Sequence, residues 1–185
     1  MSLLSKLLGI WAVGKSVSST TPLFMRLLLG MAAITLFAVF AAVLMAFEQV
    51  GGASACLDMA VAYANERFAF GRPIGSFQAI KHRLADAFLA VERASALAYF
   101  ATLTVAEDDP RRTVAVSMAK SAAGDCQRLL TRDGLQLHGG VGYTWEHDLH
   151  LFLRRAALYR AMYGTPEDHY RTVYTLSRKT EDSHA

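Results

Sequence analysis

Apolar residues dominate the start of the chain and later recur at helical spacing between polar positions. The segment from Leu27 to Phe47 contains no charged side chain, and Thr35 is its only polar residue. A helix needs about 20 apolar residues to cross a bilayer core. The pattern therefore predicts one long apolar helix, which is either a membrane span or a helix buried in a protein core.

The pattern after Glu48 predicts four or five helices. The first continues the apolar segment to about Arg67, with Gly51-Gly52 as a weak point. The further helices are predicted over 77–107, 109–138 and 148–162, and from 165 onward. Because the connections are short, consecutive helices should run antiparallel. The chain is predicted to be an all-α antiparallel helical bundle, preceded by one transmembrane or long apolar helix.

Residues with known capping preferences mark several of the predicted helix ends. Ser76 is predicted as the N-cap of the second helix, and Asp109-Pro110 as the N-cap and first residue of the third. Gly139-Gly140 is predicted to end the third helix, with Gly134 as an earlier alternative. The last helix is predicted to begin at Thr165-Pro166, with acids in its first turn where the helix dipole favours them.

Composition divides the chain into three predicted parts. Residues 1–47 form a basic and apolar N-terminal segment, 48–178 the helical domain, and 179–185 a polar tail. Basic residues precede the apolar segment 27–47 and acidic residues follow it, so the positive-inside rule places the N-terminus in the cytoplasm if this segment spans. The protein is then expected to be membrane-associated if 27–47 spans and cytoplasmic otherwise.

Charge and cysteine content exclude several classes of function. The net charge is +3, and the basic residues are spread over several helices, so no nucleic-acid partner is predicted. Cys56 and Cys126 lack the spacing of a metal or redox motif and are predicted to be buried free thiols. His147 and His150 lie in an acidic connection of a kind that is usually solvated, and no metal site is predicted.

Three segments of the chain resemble the C-terminal domain of acyl-CoA dehydrogenases and occur in the same order. They are ERFAFGRPIGSFQAIKHRLAD from Glu66, DGLQLHGGVGYTWEHDLHLFLRR from Asp133, and YGTPEDHYR from Tyr163. The resemblance covers about residues 48–174. It implies the helical bundle of that domain, FAD as cofactor, and a family activity in which acyl-CoA thioesters are dehydrogenated between the α and β carbons.

The residues alone leave two interpretations of the candidate cofactor positions open. Arg67 beside aromatic rings is either a phosphate contact or a solvated arginine, and the glycines from His138 to Tyr143 either admit a ligand or simply end a helix. The resemblance implies contacts with an FAD that is shared with a neighbouring subunit. The matching residues are Arg67, Phe70, Gln78, Gln136, Gly139, Gly140, Thr165 and Glu167, although the family often has Gln at the last position.

The position of the family's catalytic base carries a different residue in this chain. The reaction needs a carboxylate that removes the α proton, and the family commonly places a Glu immediately before the Gly-Thr that opens the last helix. This chain has Tyr163 there, and a phenol with an unperturbed pKa near 10 is a poor base at neutral pH. The alternative family position on the first helix aligns with Ala41. No catalytic residue is therefore predicted, and whether the chain is an enzyme stays open.

Two kinds of function remain as hypotheses. The first is an acyl-CoA dehydrogenase-like flavoprotein, here a truncated or non-catalytic subunit in a homo- or hetero-oligomer with similar subunits. Such an assembly would bind acyl-CoA, from fatty acid or steroid oxidation, if a complete site forms. The second is a non-enzymatic, membrane-tethered helical bundle or a gene remnant, suggested by the change from an unfamiliar N-terminal segment to a family-like sequence near Glu48.

Overall fold

The computed structural model describes residues 23–182, within which five α-helices and one short hairpin account for nearly all of the chain. The helices are α1 Leu23–Glu66, α2 Gln78–Ala106, α3 Arg112–His138, α4 Leu149–Ala161 and α5 Pro166–Asp182. The hairpin strands are β1 Phe68–Ala69 and β2 Arg72–Pro73, and 3-10 turns cover Ile74–Ser76 and Gly139–Tyr143. The all-α prediction is confirmed. The predicted properties of residues 1–22 lie outside the described residues.

Alanines line the helix interfaces of the bundle. Fully buried alanines recur along three helices, at positions Ala46, Ala53, Ala94, Ala98, Ala101, Ala115, Ala119 and Ala123. Small side chains let helix axes approach closely, because no long side chain holds them apart. The central helix is α3, which contacts α2, α4 and α5. Its contacts with α1 include the stacked rings of Tyr63 and His138.

Helix α1 continues without interruption through Gly51-Gly52, so the predicted weak point there is wrong. A Cβ on Gly52 would lie 3.1 Å from Gln127 Nε2 and 3.6 Å from Phe152 Cδ1, so this glycine gives room for side chains of α3 and α4. Packing at the glycine offsets the intrinsic cost of glycine in a helix. Tertiary contact therefore overrides the local preference.

The apolar segment 27–47 has two different environments along α1. Apolar residues before position 38, such as Met31, Ile34 and Phe37, are exposed, whereas Ala41–Val43 and Ala46 are buried. The chain divides after Phe40 into two compact units, and the second unit contains the bundle. By length and composition alone, α1 and α2 are both long and apolar enough to cross a membrane.

Two of the predicted N-caps are wrong. The Ser76 hydroxyl donates to the Pro73 carbonyl at 2.7 Å and stabilises the 3-10 turn, so α2 begins after Phe77 without a side-chain cap. Asp109 accepts a hydrogen bond from the Arg111 backbone N–H at 2.7 Å, which shapes a turn before α3 begins at Arg112. Both polar side chains therefore serve the connection instead of the helix. The predicted end of α3 at Gly139 is confirmed, with φ of +60° at this glycine.

Candidate functional site

The C-terminal ends of α1 and α3 meet at one end of the bundle. The ring of Tyr63 lies 4.4 Å from the ring of His138, and His138 also contacts His147 at 4.4 Å. His138 is buried, and its Nδ1 donates to the Gly134 carbonyl at 2.7 Å. Since Tyr63 lies one turn before Arg67 and His138 directly precedes Gly139, two groups of predicted cofactor residues lie at the same end.

The glycines that follow α3 leave the backbone open. Gly139 and Gly140 are exposed, and no atom lies within 4 Å of the position that a Cβ would occupy on either one. Gln136 is exposed on the last turn of α3. Gly142 differs, because a Cβ there would lie 3.1 Å from the Cβ of His138. A ligand could therefore reach the backbone at the first two glycines of this loop and not at the third.

The hairpin after α1 carries the first predicted group. The Arg67 side chain is exposed, and no acidic side chain of residues 25–178 forms an ion pair with it. Phe70 is 95% exposed, with φ of +53°, and its ring makes an edge contact with Phe77 at 6.1 Å. Gln78 opens α2, where its Nε2 lies 3.0 Å from His82 Nε2. A solvent-facing arginine and aromatic ring therefore lie on one short loop.

Thr165 and Glu167 lie at the start of α5, away from His138. The Thr165 hydroxyl donates to Asp168 Oδ2 at 2.7 Å, and the Asp168 N–H donates back to Thr165 Oγ1 at 3.3 Å, which confirms the predicted capped start of α5. Glu167 pairs with Arg160 at 2.6 Å. The hydrogen bond from its own backbone, followed by the Arg160 charge, lowers the pKa of Glu167. Ionised carboxylates therefore already occupy the positive end of this helix.

The predicted cofactor residues thus form two sets. Pro166 packs against Gly124, where a Cβ would lie 3.3 Å from the proline Cγ. Gly124 and His138 are 14 residues apart on α3, which corresponds to about 20 Å along the helix. Arg67, Phe70, Gln78, Gln136, Gly139 and Gly140 belong to the set near His138, whereas Thr165 and Glu167 belong to the other.

The position of the family base lies in the turn between α4 and α5. Tyr163 has φ of +58° and is 41% exposed, and Gly164 follows with φ of +98°. The alternative position, Ala41, is buried in α1. The nearby Glu48 forms an ion pair with Arg155 at 2.7 Å. Neither predicted base position therefore carries a carboxylate, and Glu48 is already paired.

Sequence analysis did not detect the buried lysine beneath this turn. Lys120 is 1% exposed, and its Nζ donates to the Tyr159 carbonyl at 2.7 Å and to Gln49 Oε1 at 3.4 Å. Burial lowers the pKa of Lys120 to about 8. The available signal was its position: Val116, Lys120 and Ala123 share one face of α3, and the other two are apolar.

The chain belongs to the acyl-CoA dehydrogenase family. The family model for the acyl-CoA dehydrogenase C-terminal domain matches residues 29–175, which include most of the apolar segment 27–47. The chain is 44% identical over 133 residues to the acyl-CoA dehydrogenase IpdE2 of Mycolicibacterium smegmatis. This match covers 72% of the chain and 41% of the relative, so the chain spans about two fifths of that protein's length.

Solved structures show the same fold. The butyryl-CoA dehydrogenase of Megasphaera elsdenii superposes with a TM-score of 0.72 at 31% identity, over 75% of this chain and 36% of that one. The ChsE4–ChsE5 complex of Mycobacterium tuberculosis gives a TM-score of 0.70 at 27% identity, over 78% of this chain and 38% of that one. The bundle is therefore the family's C-terminal helical domain, and family members use FAD.

Proposed function

We propose that this chain contributes the C-terminal helical part of an FAD site in an acyl-CoA dehydrogenase-like assembly, as a subunit without the catalytic carboxylate. The observation that carries the proposal is the end of the bundle near His138. There the open backbone of Gly139 and Gly140 lies at the same end as Arg67, which forms no ion pair with an acidic side chain of residues 25–178. An accessible backbone at the same end as an exposed guanidinium suits a phosphate-bearing ligand.

The fit to FAD differs between the two sets of residues. At the His138 end, Arg67, Gly139 and Gly140 would hold the phosphates, and Phe70 offers an exposed ring face. At the start of α5, the Asp168 carboxylate accepts the Thr165 N–H at 3.1 Å, so this helix end is less suited to phosphate. Thr165 and Glu167 would contact an uncharged part of the cofactor. When bound, FAD supplies the acceptor for the hydride of the substrate.

The absence of a base at position 163 supports a non-catalytic role in the assembly. The Tyr163 phenol occupies the turn that would carry the Glu, and Ala41 offers no replacement. Dehydrogenation of an acyl-CoA needs the α proton to be removed as the hydride leaves, and no carboxylate at these positions can accept it. A partner subunit would then supply both the base and the acyl-CoA site.

The outer face of α2 supports assembly with similar subunits. Phe88, Leu89, Tyr99 and Leu103 are each more than half exposed. Several large apolar residues exposed on one helix face are typical of an interface. A complex of two proteins with this fold is known from the ChsE4–ChsE5 structure. We propose a homo- or hetero-oligomer on this basis.

Flavin content tests the proposed function. The chain would be purified in mild detergent, alone and together with a full-length homologue, and its visible flavin spectrum recorded. We expect stoichiometric FAD in at least the mixed sample, in excess of the FAD that the homologue carries by itself. Gly140→Val should abolish flavin binding, because the new side chain blocks the backbone. Gly51→Val is the matched control, since both Cβ positions have open space in the folded chain, and it should retain the flavin. Folded protein that carries no flavin alone, and adds none to that of the homologue, would contradict the proposal.

A membrane-tethered bundle is the second candidate, favoured by the exposed apolar residues of α1. If the buried part of α1 stays in the bundle, residues 27–40 are the part of the apolar segment 27–47 that remains for the bilayer. They extend for about 20 Å, which is short of the roughly 30 Å hydrocarbon core. Because the family match begins at residue 29, we instead expect the exposed apolar side chains of α1 to pack against protein. Extraction of membranes with alkaline carbonate separates the two, since only a spanning helix would stay in the pellet.

A further inference from the structure

Lys120 is a buried cation without a counter-charge among the described side chains, those of residues 25–178. Its side chain is 1% exposed, and its Nζ contacts neutral oxygens, the Tyr159 carbonyl at 2.7 Å and Gln49 Oε1 at 3.4 Å. An ammonium in such a place is costly, because water is lost and no carboxylate replaces it. A leucine or methionine would fill the same space at lower cost. The charge and its donors therefore need an explanation beyond packing.

The Tyr159 carbonyl is a group that the end of a helix leaves unpaired. Helix α4 ends at Ala161, and the last four carbonyls of an α-helix have no donor four residues ahead. These carbonyls also carry the negative end of the helix dipole. Lys120, which comes from α3, therefore caps the C-terminal end of α4 from inside the bundle.

His169 acts on the same turn from the other side. Its Nε2 lies 3.0 Å from the Tyr163 carbonyl, and since a carbonyl only accepts, this nitrogen carries the proton. A Cβ on Gly164 would lie 3.0 Å from the same Nε2, so the imidazole packs directly against the turn. Tyr163 and Gly164 both have positive φ, at +58° and +98°. A non-glycine residue in this region is strained and persists where its surroundings hold it.

We infer that Lys120 and His169 are positioning residues that hold the backbone of the turn from Tyr159 to Gly164, and with it the direction of the side chain at position 163. The inference rests on the proposed function, because it concerns the turn on which the family places its base. The turn is held through backbone carbonyls, so its shape does not depend on which side chain occupies position 163.

The two positioning residues are electrostatically coupled. Burial lowers the pKa of Lys120 to about 8. Burial, and then the nearby Lys120 charge, lower the pKa of His169 against the opposing effect of its bond to Tyr163. The groups that face this pair are neutral Gln49 from α1, the Tyr159 carbonyl from α4, and Asp168 from α5. The turn should therefore respond to pH in two steps, one on the acid side and one near pH 8.

The sequence offers a selective probe of this turn. Tyr163-Gly164 is the only place where glycine follows tyrosine, so labelling with carbonyl-13C tyrosine and 15N glycine leaves one coupled pair. A two-dimensional HNCO spectrum then shows a single peak, which reports the Tyr163 carbonyl and the Gly164 N–H. The protein would be the full chain in mild detergent, titrated from pH 5.5 to 9.5, a window chosen to bracket the lowered pKa of about 8 of Lys120.

Variants separate a positioning role from general stability. Lys120→Met keeps the length of the side chain and removes the donor, and the exposed Lys81→Met is its matched control. His169→Phe removes the second donor, and His169→Gln retains one. We expect the wild-type peak to move with a midpoint near pH 8. That step should vanish in Lys120→Met and remain in Lys81→Met. Exchange of the Gly164 N–H should be at least tenfold faster in Lys120→Met and His169→Phe, and His169→Gln should recover part of the protection.

The outcomes are distinct even if a variant does not fold. A wild-type peak that does not move anywhere between pH 5.5 and 9.5 overturns the inference without any variant. So does a peak in Lys120→Met or His169→Phe that superimposes on the wild type and exchanges at the same rate. The spectrum needs no flavin. A turn that titrates as described in a chain that binds no FAD would overturn the proposed function alone.

Discussion

The ring of Tyr63 stacks on the ring of His138, with centroids 4.4 Å apart and planes inclined by 30°. This contact joins the last turn of α1 to the last residue of α3. The hairpin that carries Arg67 begins just beyond one ring, and the open glycines begin just beyond the other. The stack therefore fixes the distance between two parts of the candidate cofactor site.

Replacing the tyrosine tests this link. Tyr63→Leu keeps an apolar side chain and removes the ring pair, so it should lower the free energy of unfolding by about 1 kcal/mol. It should also weaken FAD binding, because the hairpin loses its fixed position. Urea unfolding followed by circular dichroism measures the first effect. Tyr143→Leu, at an exposed tyrosine in the glycine loop, is the control and should leave stability nearly unchanged. Equal losses in both variants would contradict the role of the stack.

Two glycines of similar appearance in the sequence should respond in opposite ways to alanine. Gly51 lies inside α1 with open space at its Cβ position, so Gly51→Ala should raise stability by up to about 1 kcal/mol. A Cβ on Gly75 would lie 3.0 Å from the Ala64 carbonyl oxygen, so Gly75→Ala should lower stability by roughly 1–3 kcal/mol. Thermal unfolding of the two variants and the wild type measures both changes in stability. A loss at Gly51 would show that α1 does not run through this position as a regular helix.

Stability should rise with pH on the alkaline side because of Lys120. Its pKa is lowered to about 8 in the folded chain from 10.5, so between these values the unfolded chain binds more protons. The cost of the buried charge is fully present below pH 8 and is relieved progressively as pH rises from the folded pKa of about 8 to the unfolded value of 10.5. The difference approaches roughly 3 kcal/mol. Unfolding of the wild type and Lys120→Met at pH 7.5 and 10 measures it. Parallel curves for the two proteins would exclude Lys120 as the cause.

The two cysteines should be unreactive while the chain is folded. Burial raises the pKa of both Cys56 and Cys126 to about 12, so almost no thiolate exists at neutral pH. A thiol reagent such as Ellman's reagent should react with neither in native buffer and with both in denaturant. Cys56→Ala and Cys126→Ala assign the signals. Rapid reaction of one thiol in native buffer would mean that its helix opens locally.

Helix identities and several ends could be predicted because their signals are local. Helix α2 lies within one residue of its predicted bounds at each end, and α3 ends where Gly139 takes positive φ. The reciprocal bonds of Thr165 and Asp168 follow from four consecutive residues. Ser76 and Asp109 have equally good capping side chains, yet Pro73 and Arg111 compete for them. A preference for capping does not say which neighbouring group the side chain will bind.

Lys120 could not be predicted because its partners are remote. Gln49 is 71 residues before it and Tyr159 is 39 residues after it. A charged residue in a helical pattern is normally assigned to solvent, since burial without a partner is costly. Only the fold brings an unpaired helix carbonyl to the ammonium. The Arg67 and Gly139 groups likewise share one end of the bundle through a contact between residues far apart in sequence.

The exposed apolar residues of α1, among them Met31, Ile34 and Phe37, have a consequence for the life of the chain in a cell. Chaperones and proteases recognise apolar segments that lack a cover, and small differences in exposure change protein abundance several-fold. The polypeptide or lipid that covers this part of the helix would then determine the lifetime of the protein in the cell. We expect the level of this protein to follow that of its cover rather than that of its own messenger RNA.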